Sequence, residues 1–105
     1  MRRAQAALDK RRATAWRQVR EFAADLADAG ATAVVLFGSL VDADRFTSRS
    51  DVDLLVFGLT PQAYWTAYGR AIRAEVPVDL VYAPTCRPEV RASACQTGVV
   101  LHGRP

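Results

Sequence analysis

Two short motifs carry the residues whose types and spacing suit chemistry. An apolar run from Val34 ends in Gly38 and Ser39, and after an eleven-residue gap the chain resumes as Asp51-Val52-Asp53-Leu54-Leu55-Val56-Phe57. Two carboxylates at i, i+2 share one face of a strand, roughly 6–7 Å apart along the backbone. A third, Asp79, stands near the head of another apolar run, Val78-Asp79-Leu80-Val81-Tyr82. One strand over in a sheet, it would lie about 4.8 Å away. Mg²⁺ prefers such hard oxygen ligands, one or two carboxylates plus substrate phosphates. Two ions about 3.5–4 Å apart can activate an attacking hydroxyl and stabilise a leaving pyrophosphate. Asp51 and Asp53 would be the metal ligands, and Asp79 a further ligand, a base toward the attacking hydroxyl, or both. Gly38 and Ser39 would meet a phosphate through backbone N–H groups at a helix start, where a β-carbon on Gly38 would intrude. Taken singly, the same residues also suit plainer roles: strand-edge or capping aspartates, and an ordinary strand-to-helix turn with a serine cap. The combination is specific, and it points to nucleotide chemistry.

The elements that must position these residues follow from periodicity. Trp16, Val19, Phe22, Ala23 and Leu26 recur at helical spacing, which predicts a helix over 3–29, packed from about Trp16 onward and ended by Gly30. Thr32 to Phe37 reads as a strand buried on both faces. Residues 40–50 read as a short helix passing into a polar loop, with Ser39 at its N-cap. Asp51 to Phe57 is the second strand. Thr60-Pro61 caps and opens a helix over 61–75, with Tyr64, Tyr68 and Ile72 at i, i+4, i+8 and Gly69 weakening it by about 1 kcal/mol. Val78 to Tyr82 is the third strand. Pro88 opens a helix of about ten residues that Gly98 stops, and Val99-Val100-Leu101 is an apolar tail that packs back. If the polar residues meet at one site, strands one and two run antiparallel and strands two and three parallel, with 61–75 as a right-handed crossover. The expected class is α/β (α+β): a small mixed sheet with helices packed on it, in one domain over 1–105 whose catalytic core spans about 32–103.

Bulk properties bound the function. The chain has 105 residues, 50% of them hydrophobic, so a core is available. No apolar run nears 18 residues and the N-terminus has no secretory h-region, so a cytoplasmic protein without a membrane span is expected. Cys86 and Cys95 lack metal spacing and read as reduced thiols. His102 reads as a surface or packing residue. Seven of the fourteen basic residues lie in the first twenty positions, Arg2, Arg3, Lys10, Arg11, Arg12, Arg17 and Arg20. They fall mostly opposite the apolar stripe without interleaved aromatics, so a solvated helix face is favoured over a nucleic-acid patch.

On these residues the chain resembles the minimal nucleotidyltransferases of the DNA polymerase β superfamily, of the kind that act as antitoxins to HEPN-domain toxins (the MNT/HEPN type). The matching segments are Leu36-Phe37-Gly38-Ser39, Ser50-Asp51-Val52-Asp53-Leu54-Leu55-Val56, Val78-Asp79-Leu80-Val81 and Gly98-Val99-Val100-Leu101, within about residues 14–103. The resemblance implies a polymerase β-like fold, two Mg²⁺ ions, ATP as nucleotide donor, and transfer of a nucleotidyl group, AMP, to an acceptor such as a tyrosine of the partner toxin. The sequence departs from the family after Gly38-Ser39. An Arg-Ala-Arg-Gly-like segment gives way to Leu40-Val41-Asp42-Ala43-Asp44, with Arg45 and Arg49 the nearest replacements for the missing cation. Two functions therefore compete: an Mg²⁺-dependent antitoxin enzyme, and a binding module of the same fold that occludes its toxin. Tyr64, Trp65 and Tyr68 suit core or interface better than adenine stacking, and Trp65 is a candidate anchor for the partner.

Overall fold

A computed structural model of the chain describes residues 2–42 and 44–105; Met1, Ala43 and the side chain of Arg2 fall outside it. The order of elements is α1 (Arg2–Asp28), β1 (Ala33–Phe37), β2 (Val52–Phe57), α2 (Pro61–Ala71), β3 (Val78–Tyr82), α3 (Pro88–Thr97) and β4 (Val99–Gly103). The apolar stripe of α1 is buried from Ala15 through Val19, Phe22, Ala23 and Leu26. Its end is a Schellman motif: Gly30 takes φ 109°, the Gly30 N–H donates to Ala27 and the Ala31 N–H to Leu26. Those bonds satisfy carbonyls the helix leaves unpaired, in a conformation that glycine adopts at no steric cost.

The sheet order is β3-β2-β1-β4. β1 runs antiparallel to β2 and pairs Phe37 with Asp53. β2 runs parallel to β3 and pairs Asp53 with Asp79. The expected strand directions and the crossover through α2 are thus observed. β1 and β2 are apolar without alternation because both faces are covered. Val34, Leu36, Leu54, Val56 and Leu80 join the core with α1 and α2. Val35 and Leu55 pack on the other face with Ala94 of α3. Among the described residues no helix is long and apolar enough to cross a membrane.

Three expectations need correction. Residues 40–50 form turns, with no helix among those described. Polar side chains here bond the backbone in place of a helical ladder: Asp42 accepts from the Asp44 N–H at 3.1 Å, and the Ser50 hydroxyl accepts from the Thr47 N–H at 2.8 Å. Leu40 and Phe46 are buried in the core, and the partly buried Val41 packs against it. Second, α2 starts at Pro61, capped by Thr60 as expected, but stops at Ala71. Its buried face is Tyr64, Ala67 and Ala71, whose small alanines admit close approach to the sheet, and Ile72 is left 52% exposed. Third, the tail is a strand. Val99–Gly103 extends the sheet beside β1, with a bulge between Val34 and Val35. His102 packs there, its Nε2 3.1 Å from the Ala31 carbonyl oxygen.

Candidate active site

The three carboxylates owe their common placement to strand geometry. Side chains alternate across a sheet, so Asp53 lies on the face of β2 that carries Leu55, and Asp51 stands just ahead of that strand. Parallel pairing sets Asp79 directly beside Asp53. This is the face that α3 covers further along the strands, through Ala94 on Val35 and Leu55. Asp51 and Asp79 are exposed, while Asp53 is half-buried.

Asp53 is the electrostatic centre of the group. Burial first, then the charges of Asp79 and Asp51, push its carboxyl from the ordinary 3.8 up to about 6. Among the described residues no three acidic, histidine or cysteine side chains converge as a ready metal-ligand set. Like charges at such range repel, by about 1 kcal/mol per pair at 4 Å in water and about 4 at an effective dielectric of 20. The donor set still fits a divalent cation: hard oxygens, excess negative charge, and one carboxylate that partial burial leaves poorly solvated.

The raised carboxyl gives a signed prediction. A group whose folded pKa exceeds its unfolded value contributes stability that is complete below the unfolded pKa and lost as pH rises through the folded one. Asp53 therefore favours the fold below about pH 4, and that contribution disappears by about pH 7. The displacement corresponds to about 3 kcal/mol, reduced to about 1–2 kcal/mol by the solvent that reaches the group. Chemical denaturation of the wild type and Asp53→Asn across this range, in chelator, should show the wild type losing that much relative to the variant. Parallel curves would show that Asp53 carries no unfavourable charge.

Gly38 stands just beyond β1 with φ 80°. A β-carbon built there would fall on the Asp53 carboxylate oxygen Oδ2. The sequence motivates this glycine by an approaching phosphate; the structure shows that its immediate crowding comes from Asp53. Ser39 follows it half-buried, but no helix begins there, so the expected helix N-terminus for a phosphate is replaced by a turn closed from the Val41 N–H to the Gly38 carbonyl at 3.2 Å.

Gly38 also lines a cleft of about 440 Å³ that is bounded by Phe37, Asp42 and Arg45 and by Ser93 and Thr97 of α3. Ser93 and Thr97 carried no signal in the sequence, since α3 meets the turn only through the tertiary fold. Of the aromatics, Tyr64 is core: it is buried, stacks on Tyr82 at 4.5 Å, and donates its hydroxyl to the Leu80 carbonyl at 2.7 Å. Trp65 is 64% exposed, edge-on to Tyr64 and Tyr68.

No protein-family model matches the chain, and no curated protein does. Solved structures share its fold. One is a toxin–antitoxin with AMP-PNP, 23% identical with TM-score 0.65, matching 80% of this chain and 73% of the other. A second is an MntA toxin–antitoxin double variant, aspartate to glutamate at two positions two residues apart, 22% identical with TM-score 0.63 over 83% and 71%. A third is a tri-AMPylated Shewanella oneidensis HEPN toxin in complex with MNT antitoxin, 20% identical with TM-score 0.60 over 88% and 72%. At these identities the finding is a common fold, the α+β arrangement of helices on a four-stranded mixed sheet.

Proposed function

We propose that this chain is a cytoplasmic nucleotidyltransferase antitoxin that transfers AMP from ATP to a hydroxyl of a HEPN-type toxin, with Mg²⁺ held by Asp51, Asp53 and Asp79. The observation that carries the reading is Asp53 itself, half-buried between two further carboxylates and abutting the Gly38 turn. The structures of like fold support it. One holds a nucleotide analogue, one includes an AMPylated toxin, and one alters two aspartates at the same spacing as Asp51 and Asp53.

In this reading a bond forms between the acceptor oxygen and the α-phosphorus, the α–β phosphoanhydride breaks, and pyrophosphate leaves. The metal would neutralise phosphate charge and lower the barrier to hydroxyl attack. Asp51 and Asp53 would hold it from the start of β2. Asp79, exposed on β3, would take the acceptor's proton. Gly38 keeps the turn close to Asp53 without a side chain between them.

A specific observation also favours the second reading, neutralisation by binding alone: Asp42 lines the cleft beside Gly38, where it opposes an anionic substrate. The discriminating experiment uses the double variant Asp51→Asn/Asp53→Asn, scored for co-purification with the toxin and for protection of cells. Binding without protection supports enzymatic neutralisation; binding with protection establishes occlusion and overturns the enzymatic reading.

Trp65 is proposed as the anchor of that complex. Its ring centroid lies 5.1 Å from Tyr64 and 5.4 Å from Tyr68, so the exposed indole is held in place before a partner arrives. Buried interface tryptophans contribute about 2 kcal/mol or more. Trp65→Ala should weaken toxin binding by at least about tenfold, measured by titration calorimetry, while ATP affinity stays unchanged. Undiminished toxin binding would remove this face from the interface.

A further inference from the structure

We propose, on the nucleotidyltransferase reading, that Arg11 and Gln18 are positioning residues for the carboxylate site. One face of α1 grips the chain just ahead of β2 and just ahead of β3, and so sets how Asp51 and Asp53 stand toward Asp79.

Three hydrogen bonds make the grip. The Arg11 Nη2 donates to the Ser50 carbonyl at 3.0 Å, across 39 positions of chain. The Gln18 Nε2 donates to the Val76 carbonyl at 2.5 Å, and the Gln18 Oε1 accepts from the Val76 N–H at 3.1 Å, across 58 positions. Arg11 and Gln18 lie seven residues apart within α1, about two helical turns, and therefore share one face. Ser50 immediately precedes Asp51, and Val76 stands three residues before Asp79. The two gripped stretches also meet each other, because the Val52 N–H donates to the Pro77 carbonyl at 3.0 Å. A single helix thus holds the entries of both carboxylate-bearing strands. The sequence suggests a solvated basic face for Arg11; the fold turns it, half-buried, onto the backbone next to Asp51.

Each side chain suits its place. Val76 is 2% exposed, so its carbonyl and N–H need partners within the protein. A glutamine amide offers both a donor and an acceptor, and answers the two groups as a neighbouring strand would. β3 is an edge strand paired only with β2, so Gln18 supplies at its entry a second hold that the sheet lacks. Arg11 reaches Ser50 with a charged donor, which makes a stronger bond than a neutral one. Its Nε is buried without a hydrogen-bond partner, a cost that an apolar side chain of like shape would avoid if the contact served stability alone. The need for a hold is electrostatic. Asp79 pairs directly beside Asp53, and like charges so placed push the strand heads apart. A shift of about 1 Å at such a site costs about a hundredfold in rate.

The test compares Arg11→Met, Gln18→Glu and Gln5→Ala, the last a control that removes only the exposed Gln5–Asp9 bond on α1. Methionine keeps an apolar stem without the donors; glutamate keeps the acceptor for the Val76 N–H and loses the donor for its carbonyl. Three properties of the intact protein are measured: AMP transfer from ATP to the partner toxin, Mn²⁺ affinity by paramagnetic resonance, and amide hydrogen exchange at Val52. Arg11→Met and Gln18→Glu should each lower kcat and weaken Mn²⁺ binding by at least about tenfold, with the KM for toxin within about twofold. Exchange at Val52 should quicken in both, and Gln5→Ala should match the wild type throughout. Arg11→Met leaves Val76 untouched and decides the outcome should Gln18→Glu fail to fold. Wild-type kcat and Mn²⁺ affinity in a folded Arg11→Met overturn the proposal and leave the nucleotidyltransferase reading intact. Faster exchange at Val52 without loss of kcat or Mn²⁺ affinity also overturns it, since the grip would then serve the fold alone. A wild type that neither binds Mn²⁺ nor transfers AMP overturns the nucleotidyltransferase reading, and this proposal with it.

Discussion

Asp53→Asn is expected to abolish nucleotidyl transfer while the free protein becomes more stable above pH 7. Asparagine matches aspartate in shape and leaves the backbone pairing of Phe37 with residue 53, and of residue 53 with Asp79, in place. It removes a negative charge that burial and two neighbouring carboxylates already oppose. The fold gains because repulsion and desolvation are relieved, by about 1–2 kcal/mol at pH 8. Transfer fails because the most enclosed oxygen donor for a divalent cation is lost, and metal-stabilised phosphoryl chemistry has no substitute for that charge. The loss should exceed about a thousandfold in rate, or about 4 kcal/mol of transition-state stabilisation. Labelled ATP, Mg²⁺ and the partner toxin give the activity, and thermal melts with and without Mg²⁺ give the stability. Mg²⁺ should raise the melting temperature of the wild type and leave that of the variant unmoved. A variant that keeps near-wild-type transfer would show that Asp53 is not a metal ligand. Asp51→Asn should lose activity in the same way with less gain in stability, because Asp51 is exposed.

Gly38→Val should weaken Mg²⁺–ATP binding by more than about tenfold and destabilise the fold by about 2 kcal/mol or more. Residue 38 has φ 80°, where a β-branched side chain is strained, and the first added carbon lands on the Asp53 carboxylate. The carboxylate must swing away, and the metal site and the cleft wall move together. A coupling measurement isolates the cause. Gly38→Ala should cost clearly less in an Asp53→Ala background than in the wild type, because the oxygen it strikes is gone, while the backbone strain stays in both. Equal costs in the two backgrounds would assign the whole effect to backbone conformation. Unchanged ATP affinity in a folded Gly38→Val protein would remove the turn from the nucleotide site.

Local chemistry made much of this molecule legible in its sequence. The uninterrupted apolar run of β1 reports burial on both faces, which the sheet confirms through Val35 on one side and Val34 and Leu36 on the other. Gly30 ends α1 and Thr60-Pro61 starts α2 because such caps depend on a few adjacent residues. The i, i+2 spacing of Asp51 and Asp53 suggested one shared strand face, and the assumption that the polar residues meet gave the strand directions; the sheet pairs Asp53 with Asp79. The tertiary structure alone decided the rest, wherever the deciding partner lies far along the chain. The 40–50 segment read as a short helix passing into a loop, but its hydroxyl and carboxylate side chains compete for the backbone, and Leu40 and Phe46 are buried in a segment of turns. The packed stripe of α2 runs through Tyr64, Ala67 and Ala71, and the helix stops at Ala71, which leaves Ile72 outside. Val99–Gly103 became a strand because β1 offered an open edge. The role of Gly38 beside Asp53, and the cleft joining Arg45 to α3, depend on residues that meet only after the sheet forms. Sequence spacing determines which groups one element presents together; the packing of distant elements determines what those groups face.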